Sequence, residues 1–267
     1  MTRKILIFIF SMLLVLALTA CGNEKENDVS ENLNSSSLSL QSEKGNHGAA
    51  TEQYSVGDIV LADGSVVKAE TLTAINSGNV PIAVIAGFKD NGVAFAVGVH
   101  RSDSPLQWAA DNTDGYVAKF ANTVCTQNSD KTFSGDTDGS DNWNEICTAD
   151  SDGTTNAEKN YPAFHFANTY AETYGLIDAY ASGWYLPSIA ELCTVYENRA
   201  KINTALEKIY ELDQNAAMDG LTTNWYWSSS QANSEDDYAW FLHFFNGYAG
   251  ECPKNFTNVH VIAVRDF

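Results

Sequence analysis

The segment Tyr238-Ala239-Trp240-Phe241-Leu242-His243-Phe244-Phe245 places two unlike sets of side chains on one strand. A period of two puts Trp240, Leu242 and Phe244 on one face, an apolar set suited to a core. It puts Phe241, His243 and Phe245 on the other, an aromatic and imidazole set that a solvated strand face does not normally carry. The alternation recurs downstream as Asn258, His260 and Ile262 opposite Val259, Val261 and Ala263. Such a face either meets a partner or is covered by other parts of the same chain, and periodicity leaves both readings open.

Working outward, hairpins and helices precede this strand. Tyr54 to Val67 reads as a hairpin around Asp63-Gly64, and Pro81 to Val99 as a second one turning at Asn91-Gly92. Phe166, Ala167, Tyr170, Ala171 and Tyr174 recur at helical spacing, which predicts one amphipathic helix over Tyr161 to Tyr174, stopped by Gly175. Ser188-Ile189-Ala190-Glu191, after Pro187, is a capping box ahead of the stripe Leu192, Val195, Tyr196. Ile202, Leu206 and Ile209 mark a third helix. Central helices between hairpins and C-terminal aromatic strands make an α+β domain.

The N-terminus has a different character. Arg3 and Lys4 precede an apolar run from Ile5 to Leu18 that is short for a membrane span, as in an export signal. Leu18-Thr19-Ala20-Cys21-Gly22 resembles the lipobox of bacterial lipoproteins, which implies acylation of Cys21 and lipid anchoring to the cell envelope, with display on the outer membrane surface. Residues 22 to 52 are rich in Asn, Ser, Glu and Lys and nearly devoid of aromatic residues, so they read as a disordered tether. One domain of some 215 residues, 53 to 267, is left.

Charge excludes some partners. The chain carries 15 basic and 34 acidic residues, a net charge of −19, and loss of Arg3 and Lys4 with the signal leaves 13 against 34, or −21. With no basic patch to displace phosphate counterions, nucleic-acid binding is not expected. Nor is an electrostatic grip on anionic lipid, so the membrane is met through the anchor alone.

Four motifs occur in order: Gly183-Trp184-Tyr185-Leu186-Pro187-Ser188-Ile189-Ala190-Glu191-Leu192, then Tyr226-Trp227-Ser228-Ser229-Ser230, then Ala239-Trp240 with Asn246-Gly247, then Val264-Arg265. Over Asp111 to Phe267 they resemble a bacterial domain family with a C-type-lectin-like fold of the formylglycine-generating-enzyme subtype, which includes the C-terminal domain of a collagen-like adhesin. The ending Val261 to Phe267, with the lipobox, looks closer still to the lipoprotein variable proteins of diversity-generating retroelements. The resemblance implies a framework of Trp184, Leu186, Trp227, Trp240, Leu242, Phe244 and Arg265. It implies a displayed ligand-binding surface of Tyr226, Tyr238, Phe241, His243, Phe245, Tyr248, Glu251, Asn258 and His260, presented to an unknown protein or glycan. Aromatic side chains there give large contact area at low entropic cost.

An enzyme is not expected. The related formylglycine-generating enzymes use a metal-bound cysteine pair, and no matching pair stands near this C-terminus; fold alone does not carry activity. His47, His100, His165, His243 and His260 lack zinc-motif spacing, although His243 and His260 could approach across strands. Beyond Cys21, Cys125 and Cys147 bracket one polar loop and form the leading candidate disulfide, leaving Cys193 and Cys252, with three pairings open to four cysteines and free thiols left open as well. In that loop Asp136, Asp138 and Asp141 alternate as hard oxygen ligands that suit Ca²⁺, while the same Asp, Gly and Asn composition also serves plain turns.

Overall fold

A computed structural model describes residues 54–221 and 224–267. The signal segment, the Cys21 anchor and the 22–52 tether lie outside these described residues. The described residues form eleven strands: β1 Ile59–Leu61, β2 Val66–Val67, β3 Pro81–Phe88, β4 Ala94–Arg101, β5 Val124–Gln127, β6 Phe133–Gly135, β7 Trp184–Tyr185, β8 Trp225–Ala232, β9 Tyr238–His243, β10 Tyr248–Pro253 and β11 Ile262–Asp266. They form two sheets, one in the order β2-β1-β3-β4-β11-β7 and the other β10-β9-β8-β5-β6. The α-helices are α1 Asp114–Val117, α2 Asn142–Ala149, α3 Ser151–Thr154, α4 Ala157–Asn160, α5 Pro162–Asn168, α6 Tyr170–Thr173, α7 Ile189–Glu197 and α8 Arg199–Leu212. This is an α+β fold, and none of the described helices is long and apolar enough to cross a membrane.

Both predicted hairpins form, as β1–β2 and β3–β4. Gly64 and Gly92 supply the positive φ that their turns need, +85° and +84°. The capping box forms as well: Ser188 Oγ accepts from Glu191 N, and Glu191 Oε2 accepts from Ser188 N. The single helix expected over Tyr161 to Tyr174 is instead two short ones, α5 and α6, broken at Thr169. The Thr169 hydroxyl donates to the His165 carbonyl, and the Asn168 amide to that of Phe164. The backbone bond from Thr169 N to His165 O is still made, so the two side chains bond back onto the last turn of α5 beside it.

The six-stranded sheet is buried on both faces. Val84, Val97 and Ile262 pack with Leu192 and Val195 of α7 and with Ile202, Leu206 and Ile209 of α8. Ile82, Ile85 and Ala96 pack on the other side with Phe164 of α5 and Tyr170 of α6. The same two cores extend to the five-stranded sheet, where Trp240 and Leu242 join the first and Ala239 and Phe241 the second. Ser228, Ser229 and Ser230 are buried between these layers because each hydroxyl serves a neighbour: Trp240 O, the Asn142 amide and Ile189 N respectively.

Candidate ligand-binding surface

Register decides which side chains share a surface. Trp225 stands opposite His243 and Trp227 opposite Phe241 across β8–β9, while Tyr248 stands opposite His243 and Gly250 opposite Phe241 across β9–β10. Directly paired residues lie on one face. Trp225, Phe241, His243 and Tyr248 therefore gather on the same side. Trp225 stacks on Phe241 with centroids 4.8 Å apart and planes at 8°, and Tyr248 meets Phe241 at 6.2 Å. His243 lies 5.4 Å from Trp225, Phe245 lies 6.0 Å from His243, and Phe256 lies 6.2 Å from Trp225. Six rings thus form one connected patch. Its floor, Phe241, is buried, whereas Phe245, Tyr248 and Phe256 are 72%, 60% and 37% exposed.

Three local features hold the patch. At Gly250 an added Cβ would sit 2.6 Å from Tyr248 and 2.7 Å from Phe241, so the missing side chain is what lets the two rings close over this position. After β9 the chain turns at Phe244 to Gly247, closed by Gly247 N donating to His243 O, and Gly247 has φ +72°. The strand therefore ends at His243, sending Phe244 inward and Phe245 out. Lys254, wholly buried, anchors the loop that carries Phe256. Its ammonium donates to the carbonyls of Asp236, Gly115 and Ala118 at 2.6, 2.7 and 3.0 Å and lies 5.0 Å from the Trp108 ring.

The displayed set read from the sequence divides by this register. Phe241, His243, Phe245 and Tyr248 come together as expected, though Phe241 is a covered floor and not an open contact. Tyr226 is a correction: it is wholly buried in the opposite core, its ring 4.9 Å from Phe244, because it pairs with Leu242. Tyr238 and Glu251 also face that opposite side, paired with Pro253 and Trp240, and Glu251 accepts the Ser234 hydroxyl. His260 bridges to Tyr226 and holds Ser102 O at 3.0 Å, so it lies on the face away from His243 and the two imidazoles do not approach. Asn258 is exposed, whereas Ile262 is core. Sequence reading missed Trp225 and Phe256, whose only signal was the alternation Trp225-Tyr226-Trp227 and an aromatic residue in a polar loop.

The remaining candidates also move. Cys125, Cys147, Cys193 and Cys252 are all free thiols, so the expected Cys125–Cys147 bridge is absent; Cys125 instead donates to the Asp136 carbonyl. Asp136, Asp138 and Asp141 do not converge, and no group of three potential metal ligands exists among the described residues. Asp138 is drawn to Lys89, whose ammonium also meets Asp266 at 2.8 Å and Glu191 at 3.4 Å, so a lysine supplies the positive charge there. This network borders a 550 Å³ cavity that also reaches Phe133 and Cys193.

Comparisons with known proteins place the fold. A crystal structure of a fimbrial protein from Bacteroides ovatus superposes with a TM-score of 0.54 at 16% identity, over 80% of this chain. The chain spans about half of that protein, 49% of its length. No curated protein sequence is matched. Residues 99–265, more than half of the 267-residue chain, match the Lcl C-terminal domain, whose span encloses the four motifs and every ring of the patch. The chain belongs to the Lcl C-terminal domain family.

Proposed function

We propose that this protein is a surface-displayed binding protein, adhesin-like in role, that recognises a macromolecular or glycan ligand through the patch of Trp225, His243, Phe245, Tyr248 and Phe256 over the Phe241 floor. One observation carries the reading. Of six exposed large hydrophobic side chains among the described residues, three, Phe245, Tyr248 and Phe256, belong to this one patch. Clustered exposed aromatic area marks a binding surface where scattered apolar residues do not. Lipid anchoring at Cys21, a C-type-lectin-like descent for the fold and retroelement-driven variation of the patch are further parts of the proposal, supported by the lipobox and the C-terminal motifs. Its mechanism is recognition without turnover.

The burial of Phe241 favours a second reading, in which the aromatic side is architecture for an envelope protein. Cells displaying the full chain, with and without Tyr248→Ala and Phe245→Ala together, distinguish the two in an adhesion assay. Adhesion lost while expression and melting are retained supports recognition. Adhesion by the double variant equal to that of the parent leaves the architectural role.

A further inference from the structure

We infer that the ligand of the aromatic patch is a neutral glycan, held by packing the C–H faces of its pyranose rings on Tyr248, Phe256 and Trp225. This rests on the patch being the binding surface and adds the chemical class of what it binds.

In a chain with 34 acidic and 15 basic residues, every ring of the patch comes from one of three segments, Leu221 to Ser234, Tyr238 to Gly250 and Asn255 to Val264. None of these contains Asp, Glu, Lys or Arg. Glu235, Asp236 and Asp237 stand at the β8–β9 turn, the end of that hairpin opposite to the paired Trp225 and His243, and Asp236 meets Lys119 there. Glu251 faces the opposite side of β10 and takes the Ser234 hydroxyl. Lys254 is wholly buried with its ammonium among carbonyls.

A sulfated or uronic-acid glycan would find no cation in these segments; Arg199, stacked on the Tyr196 ring that packs against Gly247, is held by that ring and by the Tyr196 carbonyl, and the strongly negative molecule repels an anion. A cationic peptide would find no carboxylate on this face. What the patch does offer is aromatic faces next to uncharged hydrogen-bonding groups. Asn246 lies between Phe245 and Tyr248 in the chain, and Phe256 is flanked by Asn255 and by the exposed Thr257 and Asn258. Amides and hydroxyls both donate and accept, which matches the hydroxyls of a sugar. The ring faces match its apolar side.

The test is titration of the full chain with three probes: neutral hexose oligosaccharides of β-glucan, mannan and galactan type, heparin as a sulfated glycan, and collagen as a protein. The inference expects a neutral oligosaccharide to bind, with affinity changing less than about twofold between low and high salt. Tyr248→Ala with Phe256→Ala should weaken it by at least about tenfold at unchanged melting temperature. Binding confined to heparin or collagen, and abolished by that double variant, overturns the neutral-glycan inference while leaving the patch as the binding surface. Neutral-glycan binding that the double variant retains overturns both.

Discussion

At the scale of single residues, the patch contains side chains that look alike in sequence and differ in energetics. Phe241 is 5% exposed beneath Trp225 and Tyr248, so Phe241→Ala should cost roughly 3 kcal/mol or more and lower the melting temperature by several degrees. Tyr248→Ala, at a side chain 60% exposed, should cost under about 1 kcal/mol and act on binding instead. Equal destabilisation by the two in chemical denaturation would contradict this floor-and-rim arrangement. Asp136 poses a separate question of protonation. Burial pushes its carboxyl from the ordinary 3.8 up to about 6, its Oδ2 has no hydrogen-bond partner, and nearby Asn142 Oδ1 also lacks a donor. Because the folded state holds this proton more tightly than the unfolded one, the associated stability is present below about pH 4 and is lost as pH rises towards 6. Asp136→Asn cannot lose it. The variant should therefore melt above the parent at pH 7, with the gap closing by pH 4, as differential scanning calorimetry across that range would reveal.

At the scale of elements, β10 and the loop after it depend on a glycine and a lysine. Gly250→Ala forces the Tyr248 and Phe241 rings apart by their outer atoms, which can move, so the stability change should stay within about 1 kcal/mol while ligand affinity falls. Full affinity in that variant would show that the ring closure is not used. Lys254→Met has the reverse profile: it strands buried carbonyls of Gly115, Ala118 and Asp236 and should destabilise the chain by roughly 3 kcal/mol or more in urea unfolding. These elements were unequally legible. The hairpins, the Ser188–Glu191 box and the α8 stripe were readable because local turn, cap and periodicity signals sufficed. The Thr169 break was not, since the apolar spacing runs through it and no Gly or Pro marks it. Alternation in β9 sorted its two faces correctly, but both are largely covered, and which neighbours share each face follows from pairing with β8 and β10. That is why Tyr226, Tyr238 and Glu251 were grouped with Phe241 although pairing puts them on the other side. For the same reason an acidic loop resembled a cation site, since Lys89 reaches Asp138 from 49 residues away.

At the scale of the whole molecule, the family match and the folding unit have different boundaries. The match begins at residue 99, inside β4, yet β4 pairs along its length with β3, and β3 in turn carries β1. β11, which closes the chain, lies between β4 and β7 in that same sheet. Cutting at 99 would remove β1 to β3 together with most of β4, stripping Val84 and Ala86 from the core shared with α7 and α8 and Ile82 and Ile85 from the core shared with α5 and α6. Each such aliphatic side chain contributes about 1.5–3 kcal/mol on burial, and a domain's net stability is only about 5–15 kcal/mol. Loss of several at once, together with an unpaired hydrophobic strand edge, exceeds that margin. A chain comprising residues 99–267 should therefore be unfolded or aggregated, whereas 54–267 should unfold in a single cooperative transition at the melting temperature of the full chain. The same sheet supports the patch, since Ser102 N donates to Val261 O and Trp225 O accepts from His260 N, linking β4 through the 258–261 segment to β8. Circular dichroism melting of the two truncations tests the dependence: a cooperative transition in the 99–267 chain would mean that the N-terminal hairpins are an addition to the domain and not part of its core.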